Sequence, residues 1–250
     1  MSEGATPVAA VDAAPTPGAP EKSVVRSMFD RIAPRYDLLN RLLSAGTDVR
    51  WRRACIDLVG PKGSERFLDL CSGTADLLIE ALSRGAQLHG TGVDLSSAML
   101  SIGAKKLERR SMTSRAALAA GDAERLPLAS SSFEAAAAAF GMRNVGDMEA
   151  AFREVHRVLK PGGRFVVLEF SMPTGVLGRL YRLYFTRILP RIGGWISGDG
   201  RAYAYLPASV ARFPPPAGLA ALLGSAGFVG VSFRPLTGGI AHLYVGVRQP

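Results

Sequence analysis

Apolar residues recur every three or four positions through residues 23–60, which is typical of helices with one buried face. Pro34 predicts an interruption, because proline lacks a backbone donor and clashes with the preceding turn. Gly46 predicts a second break, and the pattern stops at Gly60. The segment therefore predicts three short helices that form an N-terminal helical cap.

From residue 66 onward, short apolar runs alternate with amphipathic stretches. This alternation is typical of βαβ units and predicts a parallel sheet with helices on both faces. Residues 134–139 are rich in alanine, which by propensity favours a helix, but their place in the alternation predicts a strand. The residues KPGG at 160–163 predict a turn. The predicted strands span 66–71, 88–93, 116–120, 133–140, 164–170, 228–233 and 241–247, and the predicted helices span 76–84, 96–109, 147–159 and 219–226.

The same patterns divide the chain into three parts. Residues 1–22 contain six Ala, four Pro and two Gly, which predicts a flexible tail. Residues 23–60 form the cap, and residues 61–250 form one α/β domain. Within that domain, residues 175–216 break the alternation and are expected to be an insertion.

Composition narrows the class of protein. Hydrophobic residues make up 48% of the 250 positions, which excludes a disordered chain. Cys55 and Cys71 are the two cysteines of the sequence, so a disulfide framework and a cysteine-based zinc site are both excluded. We expect a reducing, cytoplasmic location. No apolar run reaches the roughly 18 residues of a membrane span, and a secretory signal is not expected.

The formal net charge of +9 suits a nucleic acid, an anionic membrane surface or an anionic cofactor, and equally an enzyme that is merely basic. Lysines and arginines are scattered rather than clustered beside aromatic residues, which argues against a nucleic-acid partner.

Three predicted strands end in an acid or in small residues, where parallel sheets bind ligands. Asp69 precedes a loop with Gly73, which lacks the G-x-G-x-x-G pattern and so argues against a nicotinamide cofactor. Asp94 suits the hydroxyls of a ribose, although an acid there also suits a helix N-cap. Asp122 and Ala123 suit an adenine edge, although Asp122 also suits a turn.

Together these features resemble the class I S-adenosyl-L-methionine-dependent methyltransferases, as does the segment EVHRVLKPGGR at 154–164. More narrowly, the chain resembles the ubiquinone/menaquinone biosynthesis C-methyltransferases over residues 23–248. The segments that carry this resemblance are residues 25–40, FGMRNV at 140–145 and LTGGI at 236–240. The resemblance implies a Rossmann-like, mostly parallel seven-stranded sheet with a final antiparallel strand, S-adenosyl-L-methionine as cofactor and no metal. It places Thr74, Asp94, Asp122 and Ala123 on the cofactor-binding positions of the family. With Asp69 and Gly73 of the first strand end, these are the expected cofactor-binding residues.

The resemblance also implies methylation of a ring carbon of a prenylated quinol, with demethylmenaquinol favoured by the loop CSGTAD at 71–76. A benzoquinol of the ubiquinone pathway, another lipid or a small aromatic metabolite remain alternatives. An RNA methyltransferase and a noncatalytic cofactor-binding subunit are the competing classes.

The expected catalytic residues are Arg143 and Asn144, whose donors suit a developing phenolate, although Arg143 could instead tie down its loop. Tyr36, Tyr203 and Tyr205 are expected to bind substrate or to pack a lid over it, with 175–216 as that substrate-side lid. The proton acceptor is left open between a water and Asp37.

A prenylated substrate lies in a membrane. The stretch 176–192 mixes apolar residues with four arginines, which suits transient contact with an anionic surface or a solvated helix face packed on the core. A peripheral position at the inner face of the membrane is therefore expected, and a homodimer is an open alternative. The four arginines are Arg179, Arg182, Arg187 and Arg191.

Overall fold

Seven strands form a single sheet in the computed structural model, which describes residues 21–173, 175–188 and 200–250. The sheet is the centre of the fold, because every strand pairs with at least one neighbour. The strands are β1 (Arg66–Leu70), β2 (His89–Asp94), β3 (Ala116–Ala120), β4 (Phe133–Ala139), β5 (Leu159–Phe170), β6 (Phe228–Leu236) and β7 (Ala241–Arg248).

Helices surround the sheet and follow the predicted alternation. Three short 3-10 turns, at Thr113–Arg115, Met142–Asn144 and Thr237–Gly239, and a π-helical turn at Tyr184–Ile188 complete the described secondary structure. The helices are α1 (Lys22–Leu43), α2 (Thr47–Val59), α3 (Asp76–Leu82), α4 (Ser97–Arg109), α5 (Met148–Val158), α6 (Gly175–Leu183), α7 (Gly200–Arg212) and α8 (Pro216–Ser225).

The strand order is β3-β2-β1-β4-β5-β7-β6. Strands β1 to β5 run parallel, and β7 lies antiparallel between β5 and β6. Helices α5 and α8 pack on one face of the sheet, and α2 and α3 pack on the other. The predicted fold class, a mostly parallel seven-stranded sheet with an antiparallel final strand, is confirmed.

The alanine-rich segment is strand β4, as its place in the alternation predicts. Ala136 and Ala138 lie in the core under α5, whereas Ala135 and Ala137 lie in the core under α2 and α3. All four are fully buried at the centre of the sheet. Small side chains let helices pack closely on both faces, so packing outweighs the helical propensity of alanine.

The interruption predicted at Pro34 is wrong, because α1 continues through it. Proline in a helix interior costs about 3 kcal/mol. Both halves of α1 bury apolar residues in one cluster, with Met28 and Ile32 before the proline and Leu39 after it. Packing along the whole helix offsets the lost backbone bond.

The remaining local expectations differ only in detail. The predicted turn at 160–163 lies inside β5 as an irregularity: Leu159 pairs with Phe133, and Arg164 is the next residue of β5 to pair. The predicted tail, 1–22, falls outside the described residues except at its end. There Lys22 already begins α1, and its ammonium pairs with two carboxylates.

Candidate active site

Asp69 on β1 stabilises the conformation of the loop that follows this strand. This buried carboxylate accepts hydrogen bonds from Ser72 Oγ at 2.7 Å and from the backbone N–H of Leu78 at 3.1 Å. Burial raises the pKa of Asp69 to about 7, against the effect of these two donors. Gly73 adopts a left-handed conformation, with φ of 54°. Asp69 therefore holds the loop while Gly73 presents its backbone.

Asp94 at the end of β2 is oriented by two backbone donors. Its Oδ2 accepts from the N–H of Gly73 at 2.8 Å, and its Oδ1 accepts from the N–H of Ser96 at 2.8 Å. Burial raises the pKa of this carboxyl, and the two N–H groups oppose the shift. The N-cap of α4 is Ser96, whose Oγ accepts from the N–H of Met99. The capping role considered for Asp94 thus belongs to Ser96.

A first cavity opens where these strands end. It is lined by Gly73, Asp94, Asp122 and Ala123, so four of the six expected cofactor residues meet there. The residues after β4 and one face of α1 complete its wall. Neither Asp69 nor Thr74 is part of that described lining.

Helix α1 is tied to the loops after β1, β2 and β3. Its Asp37 accepts from Thr74 Oγ1 at 2.6 Å, and its Asp30 accepts from Ser96 Oγ at 2.5 Å. Its Lys22 donates to Asp122 at 2.6 Å and also pairs with Glu124. Thr74 is thus engaged by α1 rather than directed into the first cavity. Asp37, which the sequence left open, with a water, as the proton acceptor, is occupied as well, since it also pairs with Lys106 at 2.8 Å.

A second cavity adjoins the first. Tyr36 and Phe140 line both cavities, so the two meet at these side chains. Burial raises the pKa of the Tyr36 phenol, while the guanidinium groups of Arg143 and Arg52 act in the opposite direction. Aromatic rings form much of the remaining wall, namely Trp51, Phe170, Tyr181 and Phe185.

Consecutive residues of the 3-10 turn after β4 line different cavities. Arg143 lines the second cavity, and Asn144 lines the first. The Arg143 Nη1 donates to Glu169 Oε1 at 2.7 Å and to the carbonyl of Phe140. Asn144 Oδ1 accepts from the hydroxyl of Tyr205 at 3.1 Å. Both expected catalytic residues therefore lie at the junction of the cavities, held by neighbours on β5 and α7.

The comparisons with known proteins are consistent with this geometry. The ubiE/COQ5 methyltransferase family matches residues 18–248. The chain belongs to this family. A demethylmenaquinone methyltransferase of Thermus thermophilus is 49% identical over 88% of this chain and 100% of its own length. The ubiquinone/menaquinone biosynthesis C-methyltransferase of Syntrophotalea carbinolica is 48% identical over 90% of this chain and 94% of its own.

Solved structures of methyltransferases share the fold of this family member. An S-adenosylmethionine-dependent methyltransferase of Thermotoga maritima superposes with a TM-score of 0.64 at 20% identity, covering 90% of this chain and all of its own. Phosphoethanolamine N-methyltransferase 2 of Haemonchus contortus, in complex with S-adenosyl-L-methionine, gives 0.61 at 15% identity, over 80% and 52% of the two chains. These likenesses concern the fold alone.

As a member of the ubiE/COQ5 methyltransferase family, the chain is a methyltransferase of quinone biosynthesis that uses S-adenosyl-L-methionine. The residues that line the first cavity are chemically suited to bind that cofactor. Asp94 offers a carboxylate held by two N–H donors, and a carboxylate suits paired sugar hydroxyls. A Cβ built on Gly73 would meet no atom within 4 Å, so the backbone of the loop is open to a ligand.

Several residues of the second cavity were not among the expected site residues. Asp48, Trp51 and Arg52 lie on one face of α2, and all three are buried. Their spacing of three and four positions is a signal in the sequence, because two charged residues share a helix face with a tryptophan.

Two tyrosines expected to bind substrate lie on α7, within the expected lid. Burial raises the pKa of the Tyr205 phenol, whose hydroxyl bonds to Asn144. The side chain of Tyr203 lies outside the described residues, as does Arg191. No helix in the described parts of the chain is both long and apolar enough to cross a bilayer.

Proposed function

We propose that this chain transfers a methyl group to a ring carbon of a reduced, prenylated quinone, with demethylmenaquinol as the acceptor. The second cavity carries the proposal, because its aromatic wall meets the first cavity at Tyr36 and Phe140. Flat rings suit a flat bicyclic acceptor and keep water out. Curated relatives named demethylmenaquinone methyltransferase support the same acceptor.

The cofactor supplies an activated methyl group when it is bound in the first cavity. We assign the sugar hydroxyls to Asp94, whose oxygens each accept one N–H and keep further lone pairs for a ligand. We assign the adenine to Asp122 and Ala123, and the methionine portion to the backbone at Gly73.

Two further residues of the expected cofactor set act indirectly in this proposal. Asp69 supports the loop after β1 through Ser72 and Leu78. Thr74 joins that loop to α1 through Asp37. Both would affect cofactor affinity through the shape of the loop.

Arg143 is assigned the stabilisation of negative charge on the acceptor oxygen. Its guanidinium lines the second cavity and is fixed by the fully buried Glu169, so it needs no reorganisation during the reaction. Asn144 sits one residue on, where Tyr205 holds its amide at the wall of the first cavity. Tyr36 and the α7 residues Tyr203 and Tyr205 are assigned to the enclosure of the acceptor.

Methyl transfer from labelled cofactor to short-tailed demethylmenaquinol, measured in the organic extract, tests this function. We expect label in the product, its loss in Asp94→Ala and a strong reduction in Arg143→Ala. A prenylated benzoquinol and a water-soluble phenol are run in parallel. Label that enters only one of those alternatives would transfer the assignment to that acceptor, and cofactor binding without any transfer would refute the methylation of quinols.

We also propose that α6 and the C-terminal part of α1 contact an anionic bilayer, with the enzyme in the cytoplasm at the inner membrane face. Leu38 and Leu42 on α1 and Leu183 on α6 are large apolar side chains that are about half exposed. Arg179 and Arg182 on α6 are also exposed. Exposed apolar side chains beside arginines suit an anionic interface.

Sedimentation with phosphatidylglycerol vesicles, compared with phosphatidylcholine vesicles, tests the membrane contact. We expect Arg179→Gln with Arg182→Gln to weaken binding to the anionic vesicles only. Arg153→Gln on α5, an exposed arginine paired with Glu149, is the matched control. Unchanged binding by the double variant would rule out this surface. Sedimentation without lipid tests the homodimer, the alternative that the sequence left open, because a dimer has twice the mass of the single chain.

A further inference from the structure

One carboxylate lies among the described residues that line the second cavity, that of Asp48 on α2. Its side chain is 5% exposed. The other polar groups of that lining are hydroxyls, one amide, the indole N–H of Trp51 and the guanidinium groups of Arg52 and Arg143. Asp48 is therefore the anionic proton acceptor that this described wall presents to an acceptor ring.

The other acids described near the site either accept hydrogen bonds from protein groups or line the first cavity. Asp37 accepts from Thr74 and Lys106 and lines neither of the two cavities. Glu169 is fully buried and accepts from the guanidinium of Arg143 and from two backbone N–H groups. Asp94 lines the first cavity rather than the second.

Asp48 keeps room for one more hydrogen bond. Its Oδ1 accepts from Ser44 Oγ at 2.8 Å, and its Oδ2 pairs with Arg52. A carboxylate offers about four lone-pair sites, so two donors leave acceptor capacity for a ligand hydroxyl. Ser44, a residue of the same cavity wall, is partly exposed and offers a route for a proton to water.

The charge of Arg52 stays balanced when Asp48 takes up a proton. A second carboxylate, Asp76, lies 3.8 Å from the same Arg52 nitrogen. Burial lowers the pKa of this guanidinium, but the opposite charges of Asp76 and Asp48 together raise it above its usual value. Protonation of Asp48 thus leaves no isolated buried cation, which would be costly.

We propose that Asp48 is a catalytic residue that accepts the proton of a ring hydroxyl of the quinol. This inference rests on the proposed function. The O–H bond breaks and its proton moves to Asp48, while the oxygen electron pair feeds into the ring. The ring carbon then bonds to the methyl carbon, and the pair of the breaking C–S bond stays on sulfur, which becomes a neutral thioether. The ring C–H proton leaves to water and the oxygen regains a proton from Asp48, so one proton is released in all.

The main test compares Asp48→Asn with the wild-type enzyme on demethylmenaquinol. General-base catalysis contributes about 10²–10⁴-fold, so kcat should fall by at least 100-fold. The KM for the quinol and the cofactor Kd should stay within about threefold of wild type, because one oxygen acceptor and the volume are kept. Asp57→Asn on the same helix, an exposed acid paired with Arg84, is the matched control and should retain full kcat.

A second acceptor separates proton transfer from support of the wall. With a halogenated quinol that is already ionised at the assay pH, the variant and wild-type kcat values should converge to within about fivefold. Asp48→Glu should recover part of kcat on the ordinary quinol. An Asp48→Asn enzyme that keeps kcat within threefold, or that is slowed equally on both acceptors, would overturn the role. Failure of the wild-type enzyme to methylate any quinol would instead reject the proposed function.

Discussion

Replacement of Glu169 should destabilise the fold more than any surface acid, because it would leave a buried cation without its partner. Glu169 is fully buried, and the Arg143 side chain beside it is 6% exposed. The carboxylate accepts from Arg143 Nη1 at 2.7 Å, from the Arg143 N–H at 3.3 Å and from the Phe170 N–H at 2.9 Å. In Glu169→Ala all three hydrogen bonds are lost, so the charge of Arg143 and the two backbone N–H groups are left without their acceptor.

The loss of the buried ion pair sets the expected size of the destabilisation. Breaking a buried ion pair by removing one partner costs about 3–5 kcal/mol in the free energy of unfolding. For a chain of this size, each kcal/mol corresponds to about 2–4 °C in Tm, so Tm should fall by about 6–20 °C. Urea unfolding gives the free energy, and calorimetry gives Tm.

A double-mutant cycle tests the reasoning behind this magnitude. Glu169→Met combined with Arg143→Met removes both charges, so the pair should be destabilised by less than the sum of the two single variants. Glu65→Ala, which removes a more exposed partner of Arg164, is the control and should cost about 1 kcal/mol or less. A Glu169→Ala protein within 1 kcal/mol of wild type, or strictly additive effects, would refute the argument.

Three further outcomes follow from the site. Asp94→Asn should weaken cofactor binding about 10–100-fold in calorimetry, since hydrogen bonds to a charged group contribute about 1.5–3 kcal/mol, and an unchanged Kd would contradict its assignment. The raised folded-state pKa of Asp69, about 7 against 3.8, means that the folded state binds the proton more tightly. Its contribution to stability should therefore fall as pH rises from about 4 to 7, and Asp69→Asn should flatten that slope in urea titrations. Trp51→Phe and Thr237→Val each break the 2.9 Å bond between indole and hydroxyl, so each should cost about 1 kcal/mol. Their effects should not add, and additive losses would show that the bond is absent in solution.

The acids at the strand ends could be predicted from the sequence, because each is recognised by its position after a short apolar run. Asp94 and Asp122 each follow a short apolar run, and parallel strands bring such ends together. Pro34 shows the opposite case, since the continuity of α1 depends on contacts with distant elements that a local pattern does not contain.

The second cavity could not be predicted in the same way, because its wall comes from separate parts of the chain. Trp51 lies on α2, Phe140 follows β4, Phe170 ends β5 and Phe185 lies in the π-helical turn. Each is an ordinary apolar residue within its own segment. The pairing of Arg143 with Glu169 likewise joins two elements, although Arg143 lies in a segment that the resemblance already singled out.

The ties between α1 and the loops have a thermodynamic consequence. Helix α1 contributes Lys22 and Phe29 to the first cavity, Asn40 to the second, and Tyr36 to both. One rigid element is thus shared by two binding equilibria. If the cofactor and the acceptor both favour the docked position of α1, each must strengthen binding of the other by the same factor, because coupling free energy is reciprocal. Cofactor and acceptor should therefore bind with positive cooperativity, which is lost when α1 is detached from the loops.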